Sequence, residues 1–81
     1  MWYIYMLINN KNDFRYIGMT SDVKKRLTTH NLGKTKSTKP HRPFNRILII
    51  GTTYNRIEAR KFEKYYKSGI GRELLKQRGI A

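Results

Sequence analysis

Five side chains spread along this 81-residue sequence can meet and do chemistry together: Tyr5, Tyr16, Arg26, His30 and Glu63. Two phenols, a guanidinium, an imidazole and a carboxylate are groups that move protons and hold charge. Tyr5 stands in the apolar run Trp-Tyr-Ile-Tyr-Met-Leu-Ile at residues 2–8, and Tyr16 in a second run at 14–19. Alternate strand residues share a face, so Tyr3 and Tyr5 point the same way. A turn centred near residue 11 places Tyr5 and Tyr16 nearly opposite each other. Gly18 falls on the face of Tyr16 and leaves room for a backbone or a ligand to approach. Arg26 and His30, four apart, stack on one helix face. Glu63 adjoins the expected buried stripe of a later helix, an awkward place for a solvated charge. A surface pair with Lys67 is the plainer reading of that glutamate, and such pairs stabilise little.

The elements that must position these groups follow from the apolar pattern. Residues 2–8 and 14–19 are aromatic and β-branched and too short for typical helices, so two strands are expected. Asn9-Asn10-Lys11-Asn12-Asp13 between them is turn chemistry, and so short a link makes an antiparallel hairpin. Thr20 or Ser21 can cap a helix over 22–31, with Asp22 in its first turn, Val23 and Leu27 on its inner face and Gly33 at its end. Residues 33–45 read as a basic loop, functional or mobile, with hydrophobic content nearly absent before Phe44. Ile47-Leu48-Ile49-Ile50 suits a central strand buried on both faces. A second helix over 56–67 buries Ala59, Phe62 and Tyr66, and Gly69 and Gly71 break it. A short third helix over 72–77 carries Leu74 and Leu75. The expected fold class is therefore α/β, a β-β-α-β-α-α sandwich with a small three-stranded sheet, mixed or antiparallel, flanked by helices, as one domain over 1–81.

Composition sets the partner. Eighteen Lys and Arg face five Asp and Glu, a net charge of +13. Solubility needs far less, so an anionic partner is expected, with nucleic acid foremost. No cysteine is present, which excludes disulfides and thiolate metal sites. No apolar run approaches a membrane span, and the start lacks a signal-peptide pattern. A cytoplasmic setting, nucleoid-associated in a bacterium, is the matching expectation.

Tyr3-Ile4-Tyr5, ten residues, then Tyr16-Ile17-Gly18 resembles the paired motif of the GIY-YIG nuclease superfamily. Arg26 with His30 four residues on resembles the family's next motif, and Glu58-Ala59 and Glu63 with Lys67 its later segment. Each motif alone is weak; together they cover the chain from Tyr3 to Lys67. The resemblance implies a DNA endonuclease in which Glu63 is the sole protein ligand of one Mg²⁺ (or Mn²⁺) ion and Arg26 neutralises phosphoryl charge. One tyrosine, Tyr5 or Tyr16, would activate water, which requires a cationic neighbour because phenols titrate near pH 10. His30 would hydrogen-bond the nucleophile or take a proton. Gly18, Lys24, Lys25, Lys34, Lys36, Lys39, Arg42 and Lys67 would meet the DNA backbone, joined by Arg60, Lys61 and Lys64. No small-molecule cofactor or membrane partner is implied, and specificity would come from DNA structure or from added protein partners. Three positions depart from the family: Tyr3 replaces its first glycine, Met19 stands where some members have lysine, and no asparagine follows Asn55. The last two keep open a nucleic-acid-binding module without cleavage. A basic RNA-binding protein fits the charge but leaves the tyrosine–arginine–glutamate pattern unexplained.

Overall fold

The strand at the amino end is apolar on both faces, and the fold uses both. The computed structural model describes residues 1–9, 11 and 14–79. Strand β1 (Trp2–Asn9) lies between β2 (Phe14–Thr20) and β3 (Arg46–Thr53), antiparallel to each. Every β1 residue from Ile4 to Asn9 is buried. The continuous run at 47–50 is thus an edge strand, not the expected central one, and Ile49 on it is 46 % exposed. Its register against β1 shifts between Ile4 and Tyr5: Ile4 faces Gly51 and Tyr5 faces Ile49, leaving Ile50 as the extra residue of a bulge.

Helix α1 (Val23–Asn31) follows β2. Asp22 is its cap, not a first-turn residue, and its carboxylate accepts from the Lys25 N–H at 3.0 Å. Thr20 holds that cap by accepting from the Asp22 N–H at 3.1 Å. Gly33 sits just past the helix at φ 76°, where a side chain is disfavoured. Helix α2 (Arg56–Lys67) spans the expected residues, capped by Asn55, which accepts from the Glu58 N–H at 2.8 Å. Helix α3 (Gly69–Gln77) starts earlier than expected: the glycines lie in its first turn, and the break falls at Ser68, which ends α2 and caps α3. A Cβ on Gly71 would collide with the Tyr65 carbonyl and lie 2.6 Å from Tyr66 Cα, so glycine lets α3 fold tightly onto α2.

The two sheet faces carry separate cores. Ile4, Met6, Ile8 and Ile17 pack under α2 and α3 against Ala59, Tyr66 and Leu75. Tyr5, Leu7 and Phe44 form the other core, with Phe14, Tyr16, Leu27 and Ile47 beside it. The α2 stripe is Ala59, Glu63 and Tyr66; Phe62, expected inside, is 46 % exposed. Residues 33–45 are not the loose loop expected. They hold a 3₁₀ turn at Lys39–His41, a cis Arg42–Pro43 bond, a fully buried Thr38 and a buried Phe44. Asn31 fastens the segment through its Oδ1, which accepts from the Phe44 N–H at 2.8 Å, while Asn9 donates to the His41 carbonyl. The hairpin is as expected, with Asn9 opposite Phe14, but Asn10, Asn12 and Asp13 of its expected turn lie outside the described residues.

Candidate active site at the sheet edge

Register decides how the two tyrosines meet. Tyr5 faces Gly18, and Tyr16 faces Leu7, two pairs along. The tyrosines are therefore diagonal neighbours, not opposite partners, with ring centroids 6.5 Å apart. The offset explains the glycine. A Cβ on Gly18 would lie 2.5 Å from the Tyr5 hydroxyl oxygen, so the space expected for a ligand is filled by the Tyr5 ring.

Tyr5 is fully buried, and its hydroxyl organises a polar chain beneath the surface. Arg26 Nε donates to Tyr5 Oη at 3.2 Å. Tyr5 Oη and His30 Nε2 are 2.9 Å apart, and His30 Nδ1 and Thr38 Oγ1 2.8 Å. Thr38 Oγ1 donates to the Thr35 carbonyl at 3.3 Å. The hydroxyl's one proton being spent there, Thr38 accepts from His30 Nδ1–H, and Nε2 accepts from the Tyr5 O–H. Each member is satisfied, which a buried polar chain requires. Burial pushes the Tyr5 phenol up despite Arg26 beside it. Burial, with the Arg26 charge second, pushes His30 down to about 4. The hydrogen bond to Tyr5 raises Arg26 further. At neutral pH the chain therefore holds a neutral phenol, a neutral imidazole and a fixed guanidinium.

Above this layer lies an open cleft at the outer edge of β2. Tyr16 and Arg26 reach it from one side of the sheet, Glu63 and Lys67 from α2 on the other. Glu63 is 9 % exposed. Its oxygens lie 3.9 Å from Arg60 Nη1 and 3.6 Å from Lys67 Nζ, longer than the roughly 2.7–2.9 Å of a charge-assisted hydrogen bond. The carboxylate thus lines the cleft in two loose ion pairs, including the Lys67 pair expected from the sequence. Lys67 Nζ also lies 5.6 Å from the Tyr16 ring centroid. Trp2, Met19, Arg56 and Lys64 complete the lining, with the Arg56 guanidinium 5.8 Å from the Trp2 ring.

Of the residues expected from the sequence, Tyr16, Arg26, Arg60, Glu63, Lys64 and Lys67 line this one cleft. Tyr5 and His30 support it from below. Lys24, Lys25, Lys34, Lys36, Lys39 and Arg42 are exposed and lie outside its lining. Arg42 packs its guanidinium where a Gly33 side chain would go. Thr38 and Trp2 were not singled out. Nothing in the stretch Lys34-Thr35-Lys36-Ser37-Thr38-Lys39 marks one threonine as the buried partner of a histidine 8 residues before it.

Among the described residues no three His, Asp or Glu side chains gather, so cation binding here would rest on one carboxylate and water. Carboxylate oxygens held only in loose ion pairs at a water-accessible cleft fit a hard divalent ion. No curated protein and no solved structure matches the chain significantly. A family model described as the GIY-YIG catalytic domain matches residues 1–74. Matched over nearly its whole length, and with its motif residues gathered at one sheet edge, the chain belongs to the GIY-YIG catalytic domain family, a family of nucleases.

Proposed function

We propose that the chain is a divalent-metal-dependent DNA endonuclease that hydrolyses phosphodiester bonds, selects DNA structure over long sequence, and serves repair or recombination. The carrying observation is the carboxylate of Glu63, single there among the described residues, in a cleft otherwise ringed by the cations Arg26, Arg56, Arg60, Lys64 and Lys67. Such a ring suits a phosphate, and the lone carboxylate inside it suits one ion. Glu63 would hold one Mg²⁺ or Mn²⁺, which when bound polarises the scissile phosphate and neutralises the leaving oxygen. Arg26, oriented by Tyr5, clamps the phosphoryl oxygens.

Tyr16 is the tyrosine that handles the proton. It lines the cleft, whereas Tyr5 is buried and spends its proton on His30. With Lys67 over its ring, Tyr16 acts as the general base and accepts a proton from water as the water oxygen bonds to phosphorus. The bond from phosphorus to the leaving oxygen then breaks. His30 holds Tyr5 and touches no substrate. Lys24, Lys25 and the cations of 33–45 add sequence-blind contacts to the DNA backbone. Added protein partners supplying specificity and a cytoplasmic, nucleoid-associated setting belong to the same proposal.

The test is a panel of linear, nicked, flap and junction DNAs incubated with magnesium, with manganese and with chelator. Cutting confined to the metal lanes and strongest on flap or junction DNA is expected. The alternative is a binding module of the same fold, favoured by Met19 in the cleft lining where some family members carry lysine. It predicts salt-sensitive binding and no cutting in any lane.

A further inference from the structure

The cleft holding Glu63 does not end at Tyr16. Tyr16 and Lys67 also line a second groove of about 480 Å³, shared with Met6, Arg15, Ile17, Arg72, Leu75 and Lys76. This groove runs between the free edge of β2 and helix α3. Its floor is apolar, built from Met6, Ile17 and Leu75, each under 9 % exposed. Its rim carries four exposed cations, Arg15, Lys67, Arg72 and Lys76, and among the described residues no carboxylate lines it. Glu73, next to Arg72, is exposed and outside the lining.

We propose that this groove seats an unpaired nucleotide of the DNA strand adjacent to the scissile phosphate, a reading that rests on the nuclease function above. The cations Arg15, Arg72 and Lys76 take the phosphate, and the floor takes the base. Two features select this occupant. The first is continuity: Tyr16 and Lys67 belong to both clefts, so one strand passing through the first enters the second. The second is the combination of a charged rim with an apolar floor. A paired duplex offers phosphates but keeps its bases stacked, which leaves the groove unfilled. An unstacked base covers it, as in single-strand recognition generally. The groove thereby gives a physical origin for structure selectivity, since flaps and branch points supply unpaired nucleotides.

The experiment measures binding of the whole chain by fluorescence anisotropy, in chelator so that nothing is cut. Labelled single strands, the same strands with abasic sites, and the matching duplex are compared. The parent should bind the abasic strand about tenfold more weakly than the intact one. The double variant Arg72→Ala/Lys76→Ala, at two exposed positions, should lose about tenfold on the intact single strand and less than about twofold on duplex. Its salt slope on single strands should shrink by up to about 0.7, the value for one lost phosphate contact. Equal losses on both DNA forms, no loss on single strands, or a parent indifferent to abasic sites would each overturn the groove. The two readings fail separately. A parent that cuts flap DNA while the variant binds single strands normally overturns the groove alone. A parent that never cuts in any divalent metal overturns the nuclease reading, and with it the groove's place beside a scissile phosphate.

Discussion

At the scale of single residues, the two tyrosines have the same side chain and opposite environments. Tyr5 lies at the centre of the sheet, buried, with its proton committed to His30 and its oxygen to Arg26. Tyr16 lies on the edge strand, facing the cleft with Lys67 over its ring. Removing each hydroxyl therefore has a different signature. Tyr16→Phe should slow cutting by about 10²–10⁴-fold, the usual worth of a proton-transfer group, with stability within about 0.5 kcal/mol of the parent. Tyr5→Phe should cost about 1–3 kcal/mol of stability, because His30 Nε2 is left buried and unpaired, and it should weaken cutting only through a misplaced Arg26. Paired rate measurements and urea titrations separate the two, and a reversed pattern would exchange the roles. Gly18→Ala tests the diagonal register. The added methyl meets the Tyr5 hydroxyl, and overpacking of this kind costs about 1–3 kcal/mol.

At the scale of elements, the site exists because two layers meet at the β2 edge. Helix α2 delivers Glu63 and Lys67 from one side of the sheet, and α1 delivers Arg26 from the other. Their anchoring differs. Helix α2 buries Ala59 and Tyr66 against the sheet, whereas the one buried residue of α1 is His30. A polar chain, beside the half-buried Leu27, thus docks the helix that carries Arg26, and Thr38 closes the chain from the 33–45 segment. Thr38→Val keeps the shape and removes the acceptor of His30 Nδ1. It should cost about 1–3 kcal/mol and speed amide exchange through α1 more than through α2. The same contrast explains what the sequence made legible. The hairpin, the α2 bounds and the six-element order follow from local apolar runs and caps, which act over a few residues. The strand order does not: the runs at 2–8 and 47–50 look alike, and only the landing of β3 on the free edge of β1 makes β1 central. Phe62 and Glu63 differ by one helix step, so a hydropathy pattern puts the phenylalanine inside. The fold instead turns the glutamate toward the cleft, where its charge serves the site. The tyrosine–arginine–glutamate set was visible through motif spacing, whereas Thr38 and the second groove depend on contacts between distant segments.

At the scale of the whole molecule, charge and acid sensitivity follow from the same few groups. A net charge of +13 on 81 residues should make DNA binding fall steeply with salt. Stability should fall with acid through His30. Its folded value of about 4 lies below the ordinary value near 6.5, so below pH ~6.5 the unfolded chain takes up a proton that the folded chain refuses. The stabilisation is full above pH ~6.5 and is lost as the pH falls toward 4, by up to about 3 kcal/mol. Urea midpoints measured between pH 7 and 4 should show that slope in the parent and a shallower one in His30→Gln; equal slopes would place the titration elsewhere. In the proposed function, one carboxylate in a ring of cations makes this fold a metal-dependent nuclease. The direct measurement is magnesium-dependent cutting of flap DNA by the parent and by Glu63→Ala, with binding recorded alongside in chelator. The variant should bind as the parent does and cut nothing; a Glu63→Ala protein that cuts at the parent's rate would remove Glu63 from the site.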